Sequence, residues 1–373
     1  MKYYIIAGEA SGDLHASNLM KGLKEQDAEA SFRFWGGDLM QEAGGVLVKH
    51  YRDLAFMGFA EVLLNLRTIL RNMKFCREDI LGYKPDVLVL IDYPGFNLRI
   101  ARWAAKQGIR VFYYISPQVW AWKRSRVHKI KKYVERMYVI LPFEKEFYAA
   151  YDYEVDFVGH PLLDAIKPGT SGDALLRKEL GISTDPVIAV LPGSRKQEIR
   201  KMLPVMLEMT KRFPGYHFLV AGASSLPDEV YAEAIAYERV SLLKGKMHEI
   251  LQLADAAMVT SGTATLETAL FRVPEVVCYK GGWISYQIAR RLVRHIQYIS
   301  LVNLIMDREV VKELIQGDFN TRLLAEELKR LTSNPAYRDK MFADLDALRK
   351  KLGGPGASET AARLMYQRLV NNE

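Results

Sequence analysis

The sequence predicts an α/β protein of two domains, each built on a parallel sheet. Three observations carry this. Strand-like apolar runs alternate with helix-like runs over most of the 373 residues. Near the middle, breakers and small polar residues collect in Lys167-Pro168-Gly169-Thr170-Ser171-Gly172-Asp173, a linker signal after which the alternation restarts. The length also exceeds one ordinary domain, at roughly 100–200 residues each.

Taken in order, the first half offers strands at Lys2–Ala7, Phe32–Trp35, Val87–Ile91, Arg110–Ile115, Arg136–Ile140 and Asp156–Val158. Val87-Leu88-Val89-Leu90-Ile91 is apolar throughout, the mark of a strand buried on both faces. The second half offers Val187–Leu191, His217–Val220, Val240–Leu243, Ala256–Val259 and Glu275–Cys278, with helical segments between them. From about Pro335 the chain reads as helical, broken at Gly353-Gly354-Pro355-Gly356.

Composition narrows the function. Hydrophobic residues at 49% and charged residues at 26% exclude a disordered or fibrous protein. No stretch approaches the ~20 apolar residues that cross a bilayer. Met1–Glu9 reads as a strand entering a loop, without the apolar core and cleavage site of a secretory leader. Two distant cysteines, Cys76 and Cys278, exclude a disulfide framework and a cysteine-rich metal site, and point to a reducing cytoplasm. A net charge of +8 favours an anionic partner: a nucleotide, a nucleic acid or a lipid surface.

Five loops follow strands and carry candidate chemistry. Gly8-Glu9-Ala10-Ser11-Gly12-Asp13 sets glycines where the backbone turns, with a helix expected to begin near Asp13 and offer amides to an anion. A plain turn with Asp13 as helix cap reads equally well, and Ala10 breaks the dinucleotide fingerprint. Asp92, in Asp92-Tyr93-Pro94-Gly95-Phe96-Asn97, stands at the carboxyl end of the apolar strand, where a carboxylate suits general-base work or a cap. Ser116-Pro117-Gln118-Val119-Trp120-Ala121-Trp122 offers two indoles for a wall against a sugar or an acyl chain. Gly193-Ser194-Arg195 offers backbone amides and a guanidinium fork to a pyrophosphate, without a Walker pattern; a simple turn looks the same. Ser261-Gly262-Thr263-Ala264-Thr265-Leu266-Glu267 opens a helix with small hydroxyl residues, a ready anion site, and Glu267 reaches back toward two ribose hydroxyls. A capping box is the rival reading there, but Leu266 occupies its acidic position.

Three basic segments remain. Val62, Leu63, Leu66, Ile69, Leu70 and Met73 form one helical stripe, with Arg67, Arg71 and Lys74 on another face. Such a helix lies on a membrane surface or packs on the domain core. Lys123–Arg136 holds seven basic residues and one acidic, either a nucleic-acid patch or a solvated face, and Arg290, Arg291 and Arg294 form a further cluster. The histidines show no metal-ligand spacing, Asp344-Leu345-Asp346 is poorly placed for a metal, and no G-x-S-x-G elbow occurs.

Together these segments resemble the lipid-A-disaccharide synthase family of bacterial glycosyltransferases, over nearly the whole chain. To the loops already quoted, the resemblance adds Met57-Gly58-Phe59-Ala60-Glu61-Val62, Leu141-Pro142-Phe143-Glu144, Gly159-His160-Pro161-Leu162 and Ser300-Leu301-Val302-Asn303-Leu304. The family usually has proline where Val302 stands. The resemblance implies two Rossmann-like domains facing across a cleft, the B-type glycosyltransferase fold. Residues 1–167 would form the acceptor- and membrane-facing domain, 168–340 the UDP-sugar domain, and 341–373 a helical tail packing back on the first domain or exchanged between chains.

It further implies transfer of 2,3-diacylglucosamine from UDP to 2,3-diacylglucosamine 1-phosphate, with inversion and without metal or cofactor. The product is a β-1,6-linked disaccharide in the lipopolysaccharide pathway of Gram-negative bacteria. Asp92 and Arg195 would be catalytic. Gly193, Ser194, Arg195, Ser261, Gly262, Thr263, Ala264, Glu267 and Asn303 would hold the nucleotide sugar. Gly8, Glu9, Ser11, Gly12, Asp13, Gln118, Trp120 and His160 would line the acceptor side. Val62, Leu63, Leu66, Arg67, Ile69, Leu70, Arg71 and Met73 would face an anionic inner leaflet. The expected protein is cytoplasmic, peripheral on the inner membrane, a monomer or homodimer, and no binder of nucleic acid. Two rival readings are a B-fold transferase or epimerase on soluble UDP-N-acetylglucosamine, and a nucleic-acid-binding protein.

Overall fold

Apolar runs of period two make two all-parallel sheets in the computed structural model, which describes residues 1–54, 66–122, 124–166, 173–182, 184–282 and 297–371. The first sheet holds β1 (Lys2–Ala7), β2 (Ser31–Gly36), β3 (Val46–His50), β4 (Val87–Ile91), β5 (Arg110–Tyr114), β6 (Arg136–Val139) and β7 (Asp156–Phe157). Their order across the sheet is β3-β2-β1-β4-β5-β6-β7. The second sheet holds β8 (Val187–Leu191), β9 (His217–Gly222), β10 (Val240–Lys244), β11 (Ala256–Thr260), β12 (Glu275–Tyr279) and β13 (Lys312–Ile315), in the order β10-β9-β8-β11-β12-β13.

In both sheets the winding reverses beside the first strand, between β1 and β4 and between β8 and β11. At such a switch point the loops leaving the two carboxyl ends diverge and leave room for a ligand. The sequence of β4 explains how its own switch point is held rigid. Leu88 and Leu90 enter one hydrophobic cluster, with Met73, Cys76, Ile80, Ile100 and Ala104 from two helices. Val87, Val89 and Ile91 enter another, on the opposite face, with Ala16, Leu19, Met20 and Leu23. Each such buried side chain contributes about 1.5–3 kcal/mol relative to exposure.

The chain divides into two compact units, Met1–Asp164 with Leu352–Glu373, and Ala165–Lys351. The expected tail from 341 therefore splits. The helix Pro335–Lys351 stays with the second unit, and Ala357–Asn371 packs on the helix Ala10–Gln26. There Ala361, Ala362, Met365 and Leu369 complete the first unit's core.

β3 and β13 were not among the expected strands. Both are edge strands paired on one side only, and neither is fully buried. An edge strand with a solvated face tolerates Lys49, Lys312 and Glu313, so the apolar signal fades. Most of the expected linker, 167–172, lies outside the described residues, as do Met57–Val62, Leu63, Lys123, Arg290, Arg291 and Arg294.

Candidate active site

At the first switch point, the loop after β4 carries Asp92 and Tyr93, both in the left-handed region at φ +41° and +49°. Two consecutive non-glycine residues there cost of order 1–3 kcal/mol each, so the fold must hold them. The carbonyl of Asp92 accepts hydrogen bonds from the Tyr113 hydroxyl and from Asn97 Nδ2, the latter at 2.8 Å. The same Asn97 amide reaches the Ile91 carbonyl at 3.2 Å. Gly8 makes room for the loop: a Cβ there would fall 2.3 Å from the Tyr93 ring.

Burial raises the Asp92 carboxyl to about 6, reinforced by the negative charge of Glu9 and opposed by the Tyr93 amide. A carboxylate of that basicity is ionised at neutral pH, yet accepts a proton more readily than an ordinary aspartate.

Around it, several expectations are corrected. The helix expected from Asp13 begins at Ala10, with Glu9 as its unassisted cap. Asp13 is buried and accepts from the amides of Gly37, Leu39 and Met40 at 2.7, 3.1 and 3.2 Å. It caps the neighbouring helix Asp38–Ala43 and is committed to structure rather than to a ligand. Gly12 is buried against Ala7, whereas Glu9 and Ser11 are exposed at the loop.

Of the two indoles, Trp120 is 7% exposed and meets Phe143 edge-on at 5.0 Å, so it braces the loop from within. Trp122, 43% exposed, is the outward one, and Gln118 is exposed beside them. Under the loop, Glu144 accepts from the Leu141 amide at 3.0 Å, and burial pushes its carboxyl up to about 8. His160 is buried, takes the Leu162 amide on Nδ1, and is kept neutral by burial beside His15.

At the second switch point, β8 ends in Pro192-Gly193-Ser194-Arg195 and β11 in Ser261-Gly262-Thr263. Gly193 lies at φ +105°, and a Cβ there would fall 2.8 Å from Glu198 Oε2. Ser194 and Arg195 are exposed at the start of the helix Lys196–Leu207, with Arg195 Nη1 3.0 Å from Glu198 Oε1. Gly262 precedes the helix Thr263–Leu270, which no side chain caps; the Thr265 amide turns back to the Gly262 carbonyl at 3.3 Å, and the Thr263 and Ala264 amides have no partner within the helix. Nothing stands within 4 Å of a Cβ placed on Gly262, and Thr263 and Ala264 are at least partly exposed. Ser261 donates to the Ile299 carbonyl at 3.3 Å. These groups form an open rim whose amides and guanidinium have the chemistry to hold an anion.

Glu267, one turn inside that helix, is hydrogen-bonded through Oε2 to His248 Nε2 at 2.9 Å. That carboxylate raises the His248 pKa above its usual value. His248 was invisible from local pattern, because only the packing of the helix Met247–Leu253 brings it to Glu267.

Asn303 is corrected outright. It is fully buried, accepts from the Val310 and Val311 amides at 2.7 and 3.0 Å, and donates to the Val311 carbonyl and to Glu313 Oε1 at 2.8 and 2.9 Å. Its hydrogen-bonding capacity is spent on the fold. Glu313 also accepts from Ile299 and Ser300, and Ser300 caps the helix Leu301–Met306. Val302 is buried in that helix, so capping provides the stiffness that proline would lend the loop.

The amphipathic stripe is also revised. In the helix Leu66–Tyr83, Met73 lies in the core and Ile69 packs against it. Leu70 and Phe75 face outward, 54% and 45% exposed, among the exposed Arg67, Arg71 and Lys74. Val62, Leu63 and the Leu66 side chain lie outside the described residues. The basic run of 123–136 is no continuous patch. Arg136 is held by Asp156 at 2.5 and 2.8 Å and by Glu154, and Lys131 by the Tyr151 carbonyl. A cavity of about 390 Å³ between Tyr216, Asp255 and Arg338 lies at the amino ends of the second sheet, opposite the switch-point loops. No helix among the described residues is long and apolar enough to cross a membrane.

Two doubly wound units, each with open loops at its switch point, place the chain in the class of two-domain Rossmann-like α/β proteins. The fold likeness runs over the whole chain. A UDP-GlcNAc 2-epimerase from Neisseria meningitidis, solved with UDP-GlcNAc, superposes with a TM-score of 0.70 at 13% identity, covering 100% of both chains. The calicheamicin glycosyltransferase superposes at 0.61 and 16% identity, over 99% of this chain and 98% of that one. Sequence decides between these activities. Residues 3–365 match the family described as lipid-A-disaccharide synthetase. The lipid-A-disaccharide synthase of Syntrophus aciditrophicus is 43% identical over 96% of this chain and 95% of its own. That of Geobacter sulfurreducens is 40% identical over 98% and 96%. The chain belongs to the lipid-A-disaccharide synthetase family, and it is a glycosyltransferase of lipid A biosynthesis.

Proposed function

We propose that Asp92 is the general base of a direct, inverting transfer, and that the second unit's loops hold the UDP of the donor. The observation that carries this reading is a carboxyl at about 6, fixed at the carboxyl end of β4 on a strained loop. The acceptor is 2,3-diacylglucosamine 1-phosphate and the donor UDP-2,3-diacylglucosamine. As the acceptor's O6 forms a bond to the donor's anomeric carbon, its proton passes to Asp92. The bond from that carbon to the diphosphate breaks, and its electron pair leaves with UDP. Arg195, the Gly193–Ser194 amides and the helix start at Gly262–Ala264 would receive the growing negative charge. Glu267 would accept the ribose hydroxyls, with His248 holding its other oxygen.

The test is incubation with both acylated substrates without added metal, followed by mass spectrometry of the lipid. The disaccharide 1-phosphate and free UDP are expected, with little UDP released from unacylated sugars. Absence of the disaccharide, or equal use of unacylated acceptor, overturns the reading.

Acylated substrates reside at a membrane, and we assign the contact to the outward face of Leu66–Tyr83. Leu70 and Phe75 would enter the interface, while Arg67, Arg71 and Lys74 meet anionic headgroups. Leu70→Glu with Phe75→Glu is expected to abolish most sedimentation with anionic vesicles at unchanged melting temperature. Undiminished sedimentation would refute the assignment.

A further inference from the structure

Two cations of the 123–136 segment are held by carboxylates. Arg136 is gripped by Asp156 and Glu154, and Lys131 lies 3.8 Å from Asp152. Lys129, Lys132, Arg124 and Arg126 form no ion pair with a carboxylate among the described residues, and the two arginines are set apart by their position. Both stand on the short 3-10 turn Arg124–Arg126, just beyond the loop that leaves the carboxyl end of β5. Buried Ser116, Val119 and Trp120 hold that loop, and Trp122 emerges from it. The Arg126 guanidinium lies 5.4 Å from the centre of the Trp122 ring, and that of Arg124 6.0 Å from the Phe147 ring.

A guanidinium stacked on an aromatic face has its plane set while its edge donors stay available. That edge matches two oxygens of a phosphate. The turn is also close to the chemistry. It follows β5, the strand paired with β4, and the buried Tyr113 hydroxyl of β5 donates to the Asp92 carbonyl. Arg126 thus stands beyond the strand that clamps the Asp92 loop, with no ion pair to a carboxylate among the described residues.

We propose that Arg126, stacked on Trp122 and assisted by Arg124, is the subsite for the acceptor's sugar phosphate. The inference rests on Asp92 being the base for the same acceptor. One hexose ring separates the attacking hydroxyl from the anomeric phosphate, so binding the phosphate at the turn presents the far hydroxyl to Asp92. The subsite thereby selects a phosphorylated acceptor over the neutral sugar.

The experiment compares kcat/KM for 2,3-diacylglucosamine 1-phosphate with that for the same lipid lacking the phosphate, in the parent, Arg126→Gln and Arg126→Lys. Calorimetry with UDP and thermal melting accompany each variant. The parent is expected to prefer the phosphorylated acceptor. Arg126→Gln is expected to shrink that preference at least ~10-fold through KM, with UDP affinity unchanged, and Arg126→Lys to lose part of it because the fork is gone. Should Arg126→Gln not fold, the Lys variant carries the same comparison. Full preference retained in a folded variant overturns the subsite alone. Loss of UDP affinity in step with acceptor preference also overturns it, since the arginine would then serve the donor. A parent that glycosylates neither lipid overturns the reaction, and the subsite with it.

Discussion

The loop after β4 and the loops after β8 and β11 occupy equivalent places in two similar sheets, yet they are built in opposite ways. Asp92 sits on strained backbone clamped by Tyr113 and Asn97, half-buried, with its basicity set by its surroundings. Gly193, Ser194, Arg195 and Gly262–Thr263 sit at the surface, and the Arg195 side chain is 77% exposed. A proton acceptor has to be desolvated and held still, which demands a buried frame. A diphosphate grip needs free amides and a mobile cation, which demand access. On the proposed roles, function and stability are therefore entangled in the first unit and separable in the second.

Four substitutions sharpen this contrast. The largest effect falls on Asp92→Asn, expected to lower kcat by about 10²–10⁴, the usual worth of a general base. Purified variant and parent assayed side by side decide it, and parental turnover would remove Asp92 from the mechanism. Next is Asn303→Ala, which strands the Val310 and Val311 amides and costs of order 1–3 kcal/mol for each buried group left unpaired. Thermal or urea melts should show the loss, while the fraction still folded binds UDP normally.

Arg195→Ala reverses that pattern. UDP affinity is expected to fall about tenfold, the scale of one charge-assisted hydrogen bond, with an unchanged melting temperature because the side chain is solvated. A matched fall in melting temperature would erase the distinction between the units. The smallest effect is Glu9→Gln. Asp92 must be ionised to act, so kcat/KM falls as pH drops through about 6. Glu9 raises that pKa, so removing its charge moves the acid limb to lower pH by a few tenths, read from a pH–rate profile.

Much of the candidate site was legible because the residues proposed for the chemistry sit directly after strands. Asp92 follows the run Val87–Ile91, and Gly193–Arg195 and Ser261–Glu267 follow two more, so strand ends and small residues were enough to single them out. The errors share one cause. Asp13, Asn303 and Trp120 are residue types that bind ligands and also hold folds together, and the choice depends on neighbours distant in sequence. Asp13 meets Gly37–Met40, Asn303 meets Glu313, and Trp120 meets Phe143. His248 escaped notice for the same reason.

Local pattern alone determined the two α/β halves and the strand-end loops to which the chemistry is assigned. Strand periodicity and turn residues act over a few positions, and the hydrophobic effect reads them without tertiary information. Only the folded chain decided which polar groups stay available. It buried Met73 and left Leu70 outside, saturated Asn303, and kept Arg126 without a carboxylate partner among the described residues. A hydrogen bond or an ion pair depends on distances of a few ångströms between remote segments, and packing alone sets those distances.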